Sequence, residues 1–302
     1  MKKIILLIAL LSGLTACYHE DELNVPDLSD KYGVLQDSSD PTQHFIYEFY
    51  QKYESVIIVN PTIADYKFNF NAENGIQITA PEQTQVVIDE GVDFLKKALI
   101  DLYPSDFLKK NLPFSIILAE KVQMDSYGET TVLNSYASNS FIAISNITSA
   151  LGSMSKSDFV KMRADLNANF WAKYMSEVRG SFSIPDEFYE LTETAAEDKE
   201  IYSGWYYMGY EAPSTIDFYK YGLISYNTES SYIDEEDPDF PFYSIYAPTR
   251  EMDLSQWMNF VFEKSQNELA PIFEQYPIMK KKYDIIRKAM LANGFDLTKL
   301  DL

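Results

Sequence analysis

At 302 residues, 46% of them hydrophobic and 15% aromatic, the chain carries enough apolar surface for one large core or two modest ones, which excludes a wholly disordered protein. Its formal charge of −21 argues against nucleic acid and anionic headgroups as partners, because such a surface repels phosphate. One cysteine and two histidines exclude a disulfide framework and leave little material for a metal centre.

The chain opens on Lys2 and Lys3, an apolar run from Ile4 to Leu14, and then Leu14-Thr15-Ala16-Cys17. A basic start, an apolar stretch too short to span a bilayer and small residues running into a cysteine predict a lipoprotein signal peptide over residues 1–16, with the Cys17 thiol taking the lipid. Removing Lys2 and Lys3 leaves the mature chain more acidic still, so the acyl chains on Cys17 must supply the membrane anchor. Residues 17–40, with Glu20, Asp21, Glu22, Asp27, Asp30, Asp37 and Asp40, read as an acidic tether too polar to fold. The acidic cluster behind Cys17 resembles an export signal to the outer face of an outer membrane, and reads equally as a solvated spacer.

A folded body is expected over residues 41–302. Phe45, Ile46, Phe49, Tyr50 and Tyr53 recur at helical spacing, Val56 to Val59 read as a strand, and the alternation Tyr66-Lys67-Phe68-Asn69-Phe70 predicts a half-buried strand. Between Pro81 and Tyr103, an amphipathic helix is expected to turn Val86, Val87, Phe94, Leu95, Leu99 and Leu102 inward, with Pro104 ending it. Pro113 to Val122 and Ser140 to Ile147 are apolar enough for buried strands. A long helix is predicted from about Ser155 to Val178, capped by Ser155 or Ser157, with Phe159, Met162, Leu166, Phe170 and Tyr174 on its core face. With a mainly helical remainder, the order predicts an α+β fold: a small mixed sheet, a long central helix and a helical C-terminal part.

The remaining signals concern surfaces. Trp205-Tyr206-Tyr207-Met208-Gly209-Tyr210 and two other aromatic clusters offer core residues or exposed anchors, and Trp205, with Tyr206, is the first choice for a ligand contact. The acidic run from Asp234 to Asp239 reads as a solvated loop or a Ca²⁺-binding one, within a plausible hinge at 228–241. Lys280, Lys281, Lys282, Arg287 and Lys288 form a basic cluster, either a solvated face or a dock for an acidic partner. His44 reads as a capping or surface residue. No glycine-rich phosphate loop is present.

Several stretches then occur in a familiar order: Tyr47 to Phe70, Ile184-Pro185-Asp186-Glu187-Phe188, Tyr202-Ser203-Gly204-Trp205, Ser244-Ile245-Tyr246-Ala247, and above all Ile278 to Arg287 with Gly294-Phe295-Asp296-Leu297 and Leu300. Together, over roughly residues 40–302, they resemble the substrate-import-associated zinc metallohydrolase lipoproteins. That resemblance implies a zincin-like body and a setting beside a TonB-dependent nutrient importer and its partner lipoprotein. The family's chemistry rests on H-E-x-x-H, two imidazoles four residues apart on one helical face with a glutamate as base. The matching stretch here is Ala164-Asp165-Leu166-Asn167-Ala168, with alanine at both histidine positions, and Gln256 stands where a further acidic residue is expected. Independently of that register, two histidines and a lipidated cysteine are too few for a usual zinc site.

The expectation is therefore an outer-membrane, cell-surface lipoprotein with no cofactor and no catalytic zinc. It would act as a binding or accessory subunit, with a peptide or glycan as ligand. The alternatives are a residual hydrolase using carboxylates in the vestigial cleft, Asp165 among them, and a purely structural subunit.

Overall fold

Asp40 begins the folded body: its side chain accepts a hydrogen bond from the Gln43 amide (2.9 Å), and Pro41 takes the first position of helix α1 (Pro41–Tyr53). The structure, a computed structural model, describes residues 36–67, 75–126, 128–234 and 237–300. The chain divides at Ser38, and Ser39–Leu302 forms a compact body of its own. Ile46 and Phe49 are the buried residues of α1, which ends on Glu54 in a left-handed conformation (φ 55°) and passes directly into strand β1 (Val56–Ile58).

A helical turn, α2 (Ile63–Tyr66), follows where a strand was expected from Tyr66. Asp65 reaches back to the Thr62 amide and hydroxyl (2.6 and 2.7 Å), a local cap that outweighs the short alternation. The rest of that expected strand, residues 68–70, lies outside the described residues. Next come β2 (Ile76–Thr79), α3 (Gln85–Ala98) and α4 (Ser105–Asn111). Val87, Gly91, Phe94, Leu95 and Ala98 set the buried face of α3, so Val86, expected inside, is turned about a quarter-circle away and is 62% exposed. Gly91 is there for close approach: a Cβ on it would meet Ile147 Cγ2 at 2.6 Å.

The strands that follow are β3 (Ser115–Leu118), β4 (Lys121–Ser126), β5 (Glu129–Leu133), β6 (Ser135–Ala137) and β7 (Phe141–Ile144). They build two sheets. The first, ordered β1-β3-β7-β6, is mixed: β1, β3 and β7 run parallel and β6 is antiparallel to β7. Every residue of β3 and β7 is buried, which is why both appear in the sequence as continuous apolar runs without alternation. The second sheet, β2-β4-β5, is antiparallel with β5 at one edge.

The long helix stands as expected. Ser155 caps α5 (Lys156–Ala168) by accepting from the Asp158 amide (3.1 Å). From Asn169 to Val178 the helix continues with π spacing, and its closing bond runs from the Arg179 amide to the Tyr174 carbonyl five residues back (2.9 Å). Met162, Leu166, Phe170 and Tyr174 are buried, and Phe159 packs edge-on against Phe94.

Helix α6 (Glu187–Ala195) comes next, and before the expected helical C-terminal part stands a sheet that was not expected. Strands β8 (Trp205–Gly209), β9 (Glu229–Asp234) and β10 (Asp237–Tyr246) form a third sheet, antiparallel, in the order β8-β10-β9. Aromatic and hydroxyl-bearing residues favour the pleated surface, so the clusters at Trp205 and Phe242 made strands, while Phe218–Tyr221 forms a 3-10 turn. Within the expected hinge at 228–241, the described residues from Glu229 to Asp234 and from Asp237 onward belong to strands β9 and β10, with Asp234 in register with Asp237. The side chains of residues 233–240 lie outside the described residues, so the Ca²⁺ reading of the acidic run has no geometry here. Helices α7 (Arg250–Glu263), α8 (Gln266–Gln275) and α9 (Pro277–Ala292) complete the α+β body.

Candidate functional site

Helix α7 packs along α5, and above their line of contact a cavity of about 430 Å³ opens, closed on one side by the end of β5 and the start of β6. Helix α5 contributes Asp165, Ala168 and Asn169, helix α7 contributes Ser255, Gln256 and Asn259, and the strands bring Asn134 and Ser135. The spacing i, i+3, i+4 on α5 and i, i+1, i+4 on α7 is that of helix faces looking into a shared space.

Asp165 is the centre of this wall. Asn134 Nδ2 donates to its Oδ2 (2.5 Å) and Asn259 Nδ2 donates to its Oδ1 (2.5 Å). Burial raises the Asp165 carboxyl above the usual carboxylate range; the two amides oppose that shift, and nearby Glu263 adds to it. Asn169 Nδ2 donates to Ser135 Oγ (2.5 Å) and to the Asp165 carbonyl (3.2 Å). Gln256 Nε2 donates to the Tyr226 carbonyl (3.1 Å), while Gln256 Oε1 is buried with no donor among the described residues.

Of the residues singled out from the sequence, Asp165, Ala168 and Gln256 meet in this cavity. Ala164 does not reach the lining; it is fully buried on the inner face of α5, and the i, i+4 pair that faces the cavity is Asp165 and Asn169. Trp205 and Tyr206 take their backbone places in β8, and their side chains, like the whole of Cys17, lie outside the described residues. His44 stands on α1 with its side chain half exposed, 3.4 Å from Glu48. Asn134 and Asn259 went unnoticed because they are 31 and 94 residues from Asp165 in sequence, and no spacing marks an asparagine for such a role.

The residues do not fit zinc. Alanine offers no lone pair, both Asp165 oxygens face amide N–H groups, and no group of three or more His, Cys, Asp or Glu converges among the described residues.

A second polar cluster lies beneath the far side of α7. Lys282, expected in a solvated basic face, is fully buried, and its Nζ lies 2.6 Å from Asp253 Oδ2 and 3.0 Å from Thr192 Oγ1. Tyr202 donates to the same carboxylate oxygen (2.8 Å). Its neighbour Lys280 is exposed and pairs with Asp284 (2.6 Å), so the run of basic residues splits between core and surface.

No protein-family model matches the chain, and no curated protein matches it in sequence. Among solved structures, the chain is similar to one described as a "putative zinc-binding metallo-peptidase" from Bacteroides caccae, with a TM-score of 0.45 and 10% identity, over 88% of this chain and 92% of that one.

Proposed function

We propose that this protein is a lipoprotein of the outer-membrane surface, lipidated on Cys17, whose zincin-like body binds a ligand in the Asp165 cavity as an accessory to a TonB-dependent nutrient importer and its partner lipoprotein. The observation that carries the binding reading is the state of Asp165. Each of its oxygens accepts from a side-chain amide, and the described cavity wall offers no second carboxylate. Hydrolysis by paired carboxyl groups needs one as acid and another as base or nucleophile, and a lone, amide-clamped carboxylate supplies neither pair nor metal. What the wall does supply is a concave surface with several fixed polar groups from different elements, which is what recognition requires.

One observation favours the residual-hydrolase reading: burial raises the Asp165 carboxyl, as a general acid needs. A single experiment separates the two. The lipidated protein in detergent is screened against peptide and glycan libraries for binding and for turnover, beside Ser255→Trp, which fills the cavity, and Asp165→Asn. Binding without turnover, lost in Ser255→Trp, is the expected result. Turnover abolished by Asp165→Asn would put the hydrolase first, and binding indifferent to Ser255→Trp would move the site elsewhere.

A further inference from the structure

We infer that the cavity between α5 and α7 selects a ligand bearing a protonated amine. The inference rests on the binding reading above and adds the chemistry of what is bound.

The argument starts from charge. Asp165 is the one ionisable side chain of the described lining, and no Lys, Arg or His stands beside it there. The contrast with the fully buried Asp253 is direct: Asp253 has Lys282 at 2.6 Å, whereas the half-buried Asp165 is held only by neutral amides. A carboxylate partly withdrawn from water without a cation keeps an uncompensated charge that a cationic ligand would balance.

Hydrogen counting leads to the same class. Asn134 and Asn259 each give one amide hydrogen to Asp165, Asn169 donates to Ser135 and a carbonyl, and Gln256 gives one to the Tyr226 carbonyl. Acceptors are left over. A carboxylate has about four lone-pair positions, of which the two amides use half. An ammonium group brings three donors and no acceptor, with the balancing charge. A neutral hydroxyl would leave the charge of Asp165 unbalanced, and an anion would meet it. A calcium ion would call for six to eight oxygen ligands with more carboxylate charge than one aspartate gives.

The test measures binding of two matched pairs to the lipidated protein in detergent by calorimetry near neutral pH: glucosamine against N-acetylglucosamine, and alanyl-alanine amide against its N-acetylated form. The free amine of at least one pair is expected to bind at least about tenfold more tightly than its acetylated partner. Asp165→Asn and, independently, Ser255→Lys should remove that preference. Which pair responds tells an amino sugar from a peptide terminus. If acetylated and free forms bind alike, and Ser255→Trp removes both, the amine inference is overturned while the cavity remains a binding site. Absence of measurable amine binding in both pairs also overturns it. Amine binding that survives Ser255→Trp overturns it together with the placement of the site.

Discussion

Lys282 Nζ lies 2.6 Å from Asp253 Oδ2 with both side chains fully buried, and the lysine also sits 3.9 Å from the centroid of the Phe188 ring. Burial pushes the Asp253 carboxyl up and the Lys282 ammonium down, and each charge opposes the other's shift. Lys282 donates to Thr192 and Tyr202 donates to Asp253, so α6, α7, α9 and the turn at Tyr202 are tied to one ion pair. Asp253 stands one helical turn before Gln256, and the tie therefore fixes the helix that carries Gln256 and Asn259 into the cavity.

Removing one partner of this pair leaves a bare buried charge. Lys282→Met is expected to lower the unfolding free energy by about 3–5 kcal/mol, a cost dominated by the stranded carboxylate. The double variant Lys282→Met with Asp253→Leu should be clearly more stable than the single one, since the uncompensated charge is gone. Urea unfolding of the three proteins measures this, and a loss below about 1 kcal/mol in Lys282→Met would show that the pair is not holding the helices.

A second buried network pins the long helix. Asn167 Oδ1 accepts from the Tyr103 hydroxyl (2.5 Å), Asn167 Nδ2 donates to the carbonyls of Ala98 (2.9 Å) and Arg163 (2.7 Å), and Trp171 Nε1 donates to the Tyr103 oxygen (2.8 Å). Asn167→Leu keeps the volume and strands the Tyr103 hydroxyl and the Ala98 carbonyl, at an expected cost of about 2–3 kcal/mol. Denaturant unfolding gives the magnitude, and a change in Trp171 emission should accompany it. Wild-type stability in the variant would mean the network carries no weight.

Legibility from the sequence followed the strength of local signals. The Ser155 cap and the spacing Met162, Leu166, Phe170, Tyr174 marked α5 because capping and amphipathic periodicity are local. The buried runs of β3 and β7 were legible for the same reason. The third sheet was not, because β8, β9 and β10 are held by cross-strand pairing between residues as far apart as Trp205 and Tyr246. Lys282 looked solvated beside Lys280 and Lys281, and only the tertiary placement of Asp253 sends it inward. The candidate site divides likewise: Asp165 and Gln256 were singled out through the register of the family resemblance, whereas Asn134 and Asn259 are ordinary asparagines until the fold brings them to one carboxylate.

Lipidation has a direct check. Cys17→Ser removes the thiol that would carry the acyl chains, and the acidic surface offers anionic headgroups nothing in exchange. The variant is expected to leave the membrane fraction for the soluble one on cell fractionation, with a loss of incorporated labelled fatty acid. Retention on the membrane would remove the lipoprotein reading.

The last prediction concerns Asp165 and acid. Its carboxyl is raised in the folded chain by burial, with Asn134 and Asn259 opposing and Glu263 adding to the shift. Between the ordinary carboxylate range and that raised value the native state holds the proton and the unfolded state does not, so the stabilisation from this group is present at low pH and lost as pH rises through the folded value. Asp253 shifts in the same direction, which is why the quantity to follow is the difference between the wild type and Asp165→Asn. That difference in unfolding free energy should move against the wild type as pH rises, while amine binding moves the other way and appears only as Asp165 ionises. Urea unfolding and calorimetric titration across the mildly acidic range measure both. Opposed slopes follow from one buried carboxyl that costs stability when charged and binds only when charged. If the stability difference is flat with pH, the carboxyl is not raised; if amine affinity is flat, Asp165 is not its partner.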